Sequence, residues 1–198
     1  ACATLERGLE TAKRVASVGS EARLRAELAA TLLDLGDDER AAAEATATLT
    51  LVRSGGGDRD SEIRALVVLA KRARDLGEPA EASRLLEEAI ALADGEVRTS
   101  IWRRAVAWSA ILTAEGGDVR RSKQLAAAAL RGSWESARTW VIAQRAIATA
   151  QAADRNIAGA LATLDAVLGR FRDRPLAFVE AVRADVRALE SSVVDRAD

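Results

Sequence analysis

In Gly36-Asp37, Gly77-Glu78 and Gly117-Asp118 a glycine is followed at once by an acidic residue, and the three pairs are spaced 41 and 40 residues apart. A fourth anchor, Ala153 before Asp154, follows 36 residues further on. Glycine relieves the left-handed conformation in which many helices end, and an aspartate beside it caps the helix that follows. A turn of this kind repeating at about 40 residues predicts stacked helix hairpins. Small residues keep the same period. Ala29, Ala70, Ala110 and Ala146 stand seven residues before the anchors, and Ala41, Ala82, Ser122 and Ala158 five after them. Small side chains are needed where two helices cross closely.

Composition agrees with helices throughout. The chain has 45 alanines and only two prolines, and no run alternates apolar with polar at strand length. Further turn signals are Gly19-Ser20, Gly55-Gly56-Gly57-Asp58, Asp94-Gly95, Gly132-Ser133 and Asp173-Arg174-Pro175. Between them the pattern predicts ten helices, over 3–18, 21–35, 38–53, 60–76, 79–93, 96–115, 118–131, 134–153, 155–170 and 175–195. In the last, Phe178, Val179, Val182, Val186, Leu189 and Val193 share one face, with Arg183, Asp185, Arg187 and Glu190 opposite. That is the pattern of a helix capping a repeat array.

The stretch 62–92 resembles a tetratricopeptide repeat. Leu66, Leu69, Ala70, Gly77, Ala82, Leu86 and Ala89 occupy that family's preferred large and small positions. The likeness extends over 21–168. Ala73 stands where the family usually has tyrosine, the terminal proline is missing, and the stride exceeds the usual length of about 34. HEAT-like repeats therefore stay open for the detailed geometry. The segment 133–158 also resembles degenerate units of large bacterial signalling and defence proteins. The resemblance implies an all-α fold, a right-handed α-solenoid of antiparallel helix hairpins. A single domain would fill 1–198, with a partial repeat at 1–20, about four hairpins over 21–170 and a capping helix at 171–198.

The absence of histidine, with a single cysteine, excludes imidazole catalysis, His-bearing zinc sites and an internal disulfide. Asp37-Asp38-Glu39 reads as a helix N-terminus and Glu87-Glu88 as a solvated face. A glycosidase-type carboxylate pair stays open, but its usual aromatic walls are missing outside one segment. Gly55-Gly56-Gly57 lacks the lysine of a phosphate loop and reads as a flexible linker. The expectation is a protein that is not an enzyme, with no catalytic residue, no metal and no cofactor. No apolar run is long enough to span a bilayer. Cys2 reads as an incidental thiol, with lipoprotein acylation the alternative, and a cytoplasmic setting follows by default. The 45 alanines and 26 arginines suggest a GC-rich bacterial genome, and Ala1 in place of methionine a processed or excised terminus.

A near-neutral total conceals a charge division. Residues 1–97 carry 13 basic against 19 acidic side chains, whereas 98–145 carry nine against three. Trp102, Trp108, Trp134 and Trp140 all lie in the basic segment, among Arg98, Arg103, Arg104, Arg120, Arg121, Lys123, Arg131, Arg138 and Arg145. Basic residues interleaved with aromatics bind nucleic acids in other proteins. The plainer reading is that tryptophans fill an alanine-rich core, and no nucleic-acid motif accompanies them.

In tetratricopeptide arrays the first helix of each hairpin lines a groove. The resemblance implies groove positions Arg23, Ala26, Ala30 and Asp34; Arg64, Val67, Lys71 and Arg74; Arg104, Ala107 and Ile111; and Trp140, Ala143, Ile147 and Gln151. The candidate partner-binding residues are Arg64, Lys71, Arg74, Arg104, Ile111, Trp140 and Ile147. The basic ones would steer a protein or peptide partner that is acidic, and the apolar ones would hold its hydrophobic anchor. The family's lysine- and asparagine-based carboxylate clamp is not visible, Asn156 being the lone asparagine. The expected function is a non-catalytic binding scaffold or sensor, within a larger bacterial signalling or defence protein. The alternatives are a nucleic-acid-binding repeat using 98–145, and a homo-oligomeric self-association module.

Overall fold

Ten α-helices follow one another among the described residues: α1 (Cys2–Arg14), α2 (Val18–Leu35), α3 (Asp38–Leu51), α4 (Arg59–Asp75), α5 (Pro79–Leu92), α6 (Ser100–Glu115), α7 (Val119–Leu130), α8 (Ala137–Ala153), α9 (Ile157–Arg170) and α10 (Ala177–Val194). The structure, a computed structural model, describes residues 2–92, 99–131, 136–172 and 176–194. The expected turns at Asp94-Gly95, Gly132-Ser133 and Asp173-Arg174-Pro175 lie outside those residues.

One backbone device closes α1, α2, α4, α6 and α8. A residue with positive φ is followed by an N–H that reaches back five residues: Ser17 to Ala12, Asp37 to Leu32, Glu78 to Ala73, Asp118 to Thr113 and Asn156 to Gln151, at 2.8 to 3.0 Å. This double back-bond satisfies carbonyls that the helix end leaves open. Gly36, Gly77 and Gly117 take the left-handed position, with φ of 80°, 78° and 89°. The other two examples use Ala16 and Arg155, at φ 52° and 60°. The next helix then opens on a side-chain cap. Asp37 accepts from the Arg40 N–H, Asp118 from Arg121 and Asn156 from Gly159.

Two sequence expectations are corrected here. Gly19-Ser20 lies inside α2, and the turn before it falls at Ala16. The fourth repeat anchor is Arg155, not Ala153, so the stride from Gly117 is 38 rather than 36 residues. Neither turn has a glycine to mark it in the sequence. The two-residue shift also reassigns the fourth small pair. Ala148 and Ala160 take the places expected for Ala146 and Ala158; both are buried, whereas Ala158 is exposed.

With that register, Ala29, Ala41, Ala70, Ala82, Ala110, Ser122, Ala148 and Ala160 are all buried. The third pair shows why. The Ser122 hydroxyl donates to the Ala110 carbonyl at 2.7 Å, so the second helix meets the bare backbone of the first.

Contacts group the residues into two compact units, Ala1–Ala105 and Val106–Asp198, divided within α6. In the first unit α4 touches both α2 and α3, whereas among the described residues α5 does not touch α3. The first helices of successive hairpins thus lie together on the inner side. In the second unit α10 packs on both α8 and α9. It occupies the place that the first helix of another hairpin would take. Val179 and Val182 sink into a cluster with Val141, Leu164, Val167 and Phe171, while Phe178, Val186 and Leu189 pack against its edge.

The glycine run at 55–57 is a tight joint rather than the expected flexible linker. A π-helical turn over Val52–Gly56 continues α3, and Gly55 leaves it at φ 89°. A Cβ on Gly56 would collide with Val18 Cγ1 and lie 3.1 Å from the Leu51 carbonyl oxygen. One on Gly57 would lie 2.5 Å from Val52 Cγ2 and 3.0 Å from Ala22 Cβ. Val18 is β-branched and stiff, so it gives way only at a cost. Gly56→Ala is expected to lower stability by about 1–3 kcal/mol, read as the urea midpoint at unchanged m-value. A midpoint equal to wild type would show that the joint is loose.

Candidate partner-binding surface

Arginine recurs 13 residues before each glycine anchor, as Arg23, Arg64 and Arg104. The three identical residues meet three different environments. Arg23 is exposed. Arg64, on α4, sends its NH2 to Glu27 Oε1 on α2 at 2.9 Å. Arg104, near the start of α6, is 9% exposed, and its Nε is buried with no hydrogen-bond partner among the described residues. Glu27 and Arg64 are the charged groups that act on it. Burial first, and the Arg64 charge second, push the Arg104 guanidinium down to about 10, with Glu27 acting in the opposite sense. It therefore stays a cation at neutral pH.

Other arginines of the first unit are paired with carboxylates. Arg25 reaches Glu44 at 2.6 Å and Glu21 at 2.8 Å. Arg53 reaches Glu88 and Glu62, Arg40 reaches Glu6 and Asp37, and Arg84 reaches Glu81 and Glu88. Arg64 and Arg104 share one carboxylate. Further along α4, Lys71 reaches Asp75 at 2.7 Å and Arg74 reaches the same carboxylate at 3.2 Å.

The remaining candidates lie in the second unit. Ile111 is 2% exposed, which removes it from the surface a partner could touch; its apolar side chain is used for packing. Ile147 and Trp140 are half-buried. The Trp140 ring tilts against Phe171 at 6.1 Å, and the Arg170 guanidinium sits 4.5 Å from its centroid. Trp108 is buried, with Arg145 5.5 Å above its ring. Both faces are engaged within the protein, so neither ring is held ready for a base. Trp134 and Arg98 lie outside the described residues.

Arg145 also makes a two-pronged bond to Asp185 on α10, at 2.6 and 3.0 Å. Asp185 was expected on the solvated face of the last helix. It instead faces α8, because α10 packs through a wider arc than its apolar residues mark. Sequence reasoning missed both Glu27 and Asp185. For Glu27 a signal existed, since three arginines at one repeat position must find counter-charges. For Asp185 the signal lay in Arg145, an arginine too close to the core to go unpaired.

No family model and no curated protein matches the chain. Solved structures do. BtubC (BKLC) from P. vanneervenii superposes with a TM-score of 0.63 at 16% identity, covering 99% of this chain and 87% of that one. A Rap protein complexed with Competence and Sporulation Factor gives 0.60 at 12% identity, covering 98% of this chain and 59% of the Rap chain. A putative kinesin light chain from Podosopora anserina, with nearly identical TPR-like repeats, gives 0.54 at 16% identity, covering 88% and 87%.

The fold is tetratricopeptide-like. In this tetratricopeptide-like chain the stride beyond the usual length of about 34 is taken up by long first helices and by the turn between hairpins. α2 has 18 residues and α4 has 17, and the π-helical turn adds five more after α3. Ala73, at the usual tyrosine position, is buried beside the Gly77 turn, where its carbonyl accepts the Glu78 N–H. Among the described residues no helix is long and apolar enough to cross a membrane.

Proposed function

We propose that this chain is a non-catalytic module that binds a protein or peptide through its inner helices, alone or as the sensing part of a larger bacterial signalling or defence protein. The observation that carries this reading is the placing of cations on α4 and α6. Arg64, Lys71 and Arg74 follow one another along α4, and Arg104 stands on α6 with its Nε unpartnered among the described residues. Such a surface favours an acidic partner and speeds its encounter. The half-buried Trp140 and Ile147 are the apolar candidates for its anchor. The tetratricopeptide-like fold supports the same reading, since the similar Rap protein was solved in complex with Competence and Sporulation Factor. The setting proposed is cytoplasmic.

Panning a random peptide library on the immobilised protein tests this. Recovered peptides should be enriched in aspartate and glutamate beside a large apolar residue. Enrichment should fall sharply on the Arg64→Glu, Lys71→Glu double variant. Recovery no better than from a blank support, or of basic peptides, would overturn the reading.

A further inference from the structure

α7 differs in charge from the second helices before it. α3 and α5 each hold three acidic residues against one arginine, whereas α7 holds Arg120, Arg121 and Lys123 and no acidic residue. Those three cations stand within its first five residues. The helix dipole disfavours positive charge there, so the placement does not serve the helix itself. Asp118, just before them, caps the helix by accepting the Arg121 N–H at 2.9 Å. Lys123 reaches Asp154, beyond the end of α8, at 2.6 Å.

Helical spacing arranges the exposed side chains in a line. Ser122, Ala126 and Ala129 form the buried face of α7. On the opposite face Arg120, Gln124, Ala127 and Arg131 are exposed, at steps of four, three and four residues. They make one stripe about 16 Å long, which Arg131 closes at the end of the helix. Among the described residues α7 packs on α8 and touches neither α9 nor α10, so the stripe lies on the outer side of the second unit. It shares no residue with the inner helices on which the proposed function rests.

The pattern of the stripe selects among acidic partners. Its cations stand at the two ends, and the middle, Gln124 and Ala127, is uncharged. A phosphate chain carries charge without interruption and gains nothing from that middle. A helix does gain from it, because a small residue at the centre lets its backbone come close. Among the exposed residues of α7 no apolar side chain is larger than alanine, so a lipid surface finds nothing to take up.

We infer that the outer face of α7 docks an acidic helix of a protein partner. Its carboxylates would lie opposite Arg120 and Arg131, with a small residue opposite Ala127. Arg121 and Lys123 flank the stripe and steer the approach.

The probe is an alanine-based peptide of about 20 residues, long enough to be helical on its own. It carries two glutamates near each end of one face and alanines between them. The control has the same composition with the glutamates distributed around the helix. Fluorescence anisotropy at low salt, on the intact chain, is expected to show several-fold tighter binding of the patterned peptide. Arg120→Glu should weaken that binding about ten-fold. Its thermal midpoint should not fall, because glutamate suits the first turn of a helix. Ala127→Gln adds bulk without charge and should weaken binding several-fold by holding the helix off. The Arg64→Glu, Lys71→Glu double variant should bind the patterned peptide as wild type does. Equal affinity for the two peptides, wild-type affinity in Arg120→Glu or Ala127→Gln, or loss in the double variant would each overturn the assignment. Tighter binding of oligodeoxythymidylate, or of phosphatidylserine vesicles, than of the patterned peptide would overturn it as well. None of these results touches the inner-helix reading, which stands or falls by the library panning.

Discussion

Asp185→Ala is expected to destabilise the second unit by about 2–3 kcal/mol. Arg145 would be left close to the core as an uncompensated cation, a loss of roughly 3–5 kcal/mol when fully buried. The Asp185 side chain is 33% exposed, so water moderates the figure. Among the described residues three interactions hold the Arg145 guanidinium: the two bonds to Asp185 and the Trp108 ring 5.5 Å away. Removing the carboxylate leaves only the ring, worth about 1–2 kcal/mol to a cation. Replacing both partners, as Arg145→Met with Asp185→Leu, should cost far less than the single change, because no charge is stranded. Urea unfolding of the three variants checks this. Equal losses in single and double variants would show that packing of α10, not charge, sets the effect.

Ala82→Leu is expected to cost about 3 kcal/mol or more, at the upper end of what overpacking does. Ala82 is fully buried in α5, at the place where the Ser122 contact shows the second helix of a hairpin resting on the backbone of the first. Three extra carbons there force α4 and α5 apart over their whole crossing. Ala80→Leu on the same helix places the same bulk on an exposed position and should stay within about 0.5 kcal/mol of wild type. A comparison of denaturant midpoints decides it. If both variants lie near wild type, the crossing is not as close as the alanine period implies.

The parts of this architecture legible in the residues were those set by local chemistry. Gly36, Gly77 and Gly117 announce their turns because a glycine relieves the strain of positive φ. Where Ala16 and Arg155 bear that strain instead, the turns were misplaced, by about three residues at the first and two at the second. Helix type and order were recovered throughout the described residues, since alanine content and apolar period are properties of a segment alone. The glycine run at 55–57 misled for the opposite reason. Its composition looks flexible, but the side chains it accommodates, Val18 and Ala22, belong to another helix.

The candidate site divides along the same line. That Arg23, Arg64 and Arg104 repeat at one position is visible without any coordinates. Which of them meets solvent, which meets Glu27 and which is buried with its Nε unpartnered among the described residues depends on the surroundings of each. Ile111 shows the limit from the apolar side, because a groove position and a core position carry the same hydrophobicity.

The sequence by itself determined an all-helical chain of hairpins with small residues at their crossings. Periodicity and turn chemistry act within some twenty residues and need no partner segment. Only the tertiary structure decided the register of the last hairpin, the closure of the glycine joint, the pairing of Arg145 with Asp185, and the isolation of Arg104. Each of those depends on the distance between groups far apart in the chain, and electrostatic and steric energies follow that distance, not the order of residues.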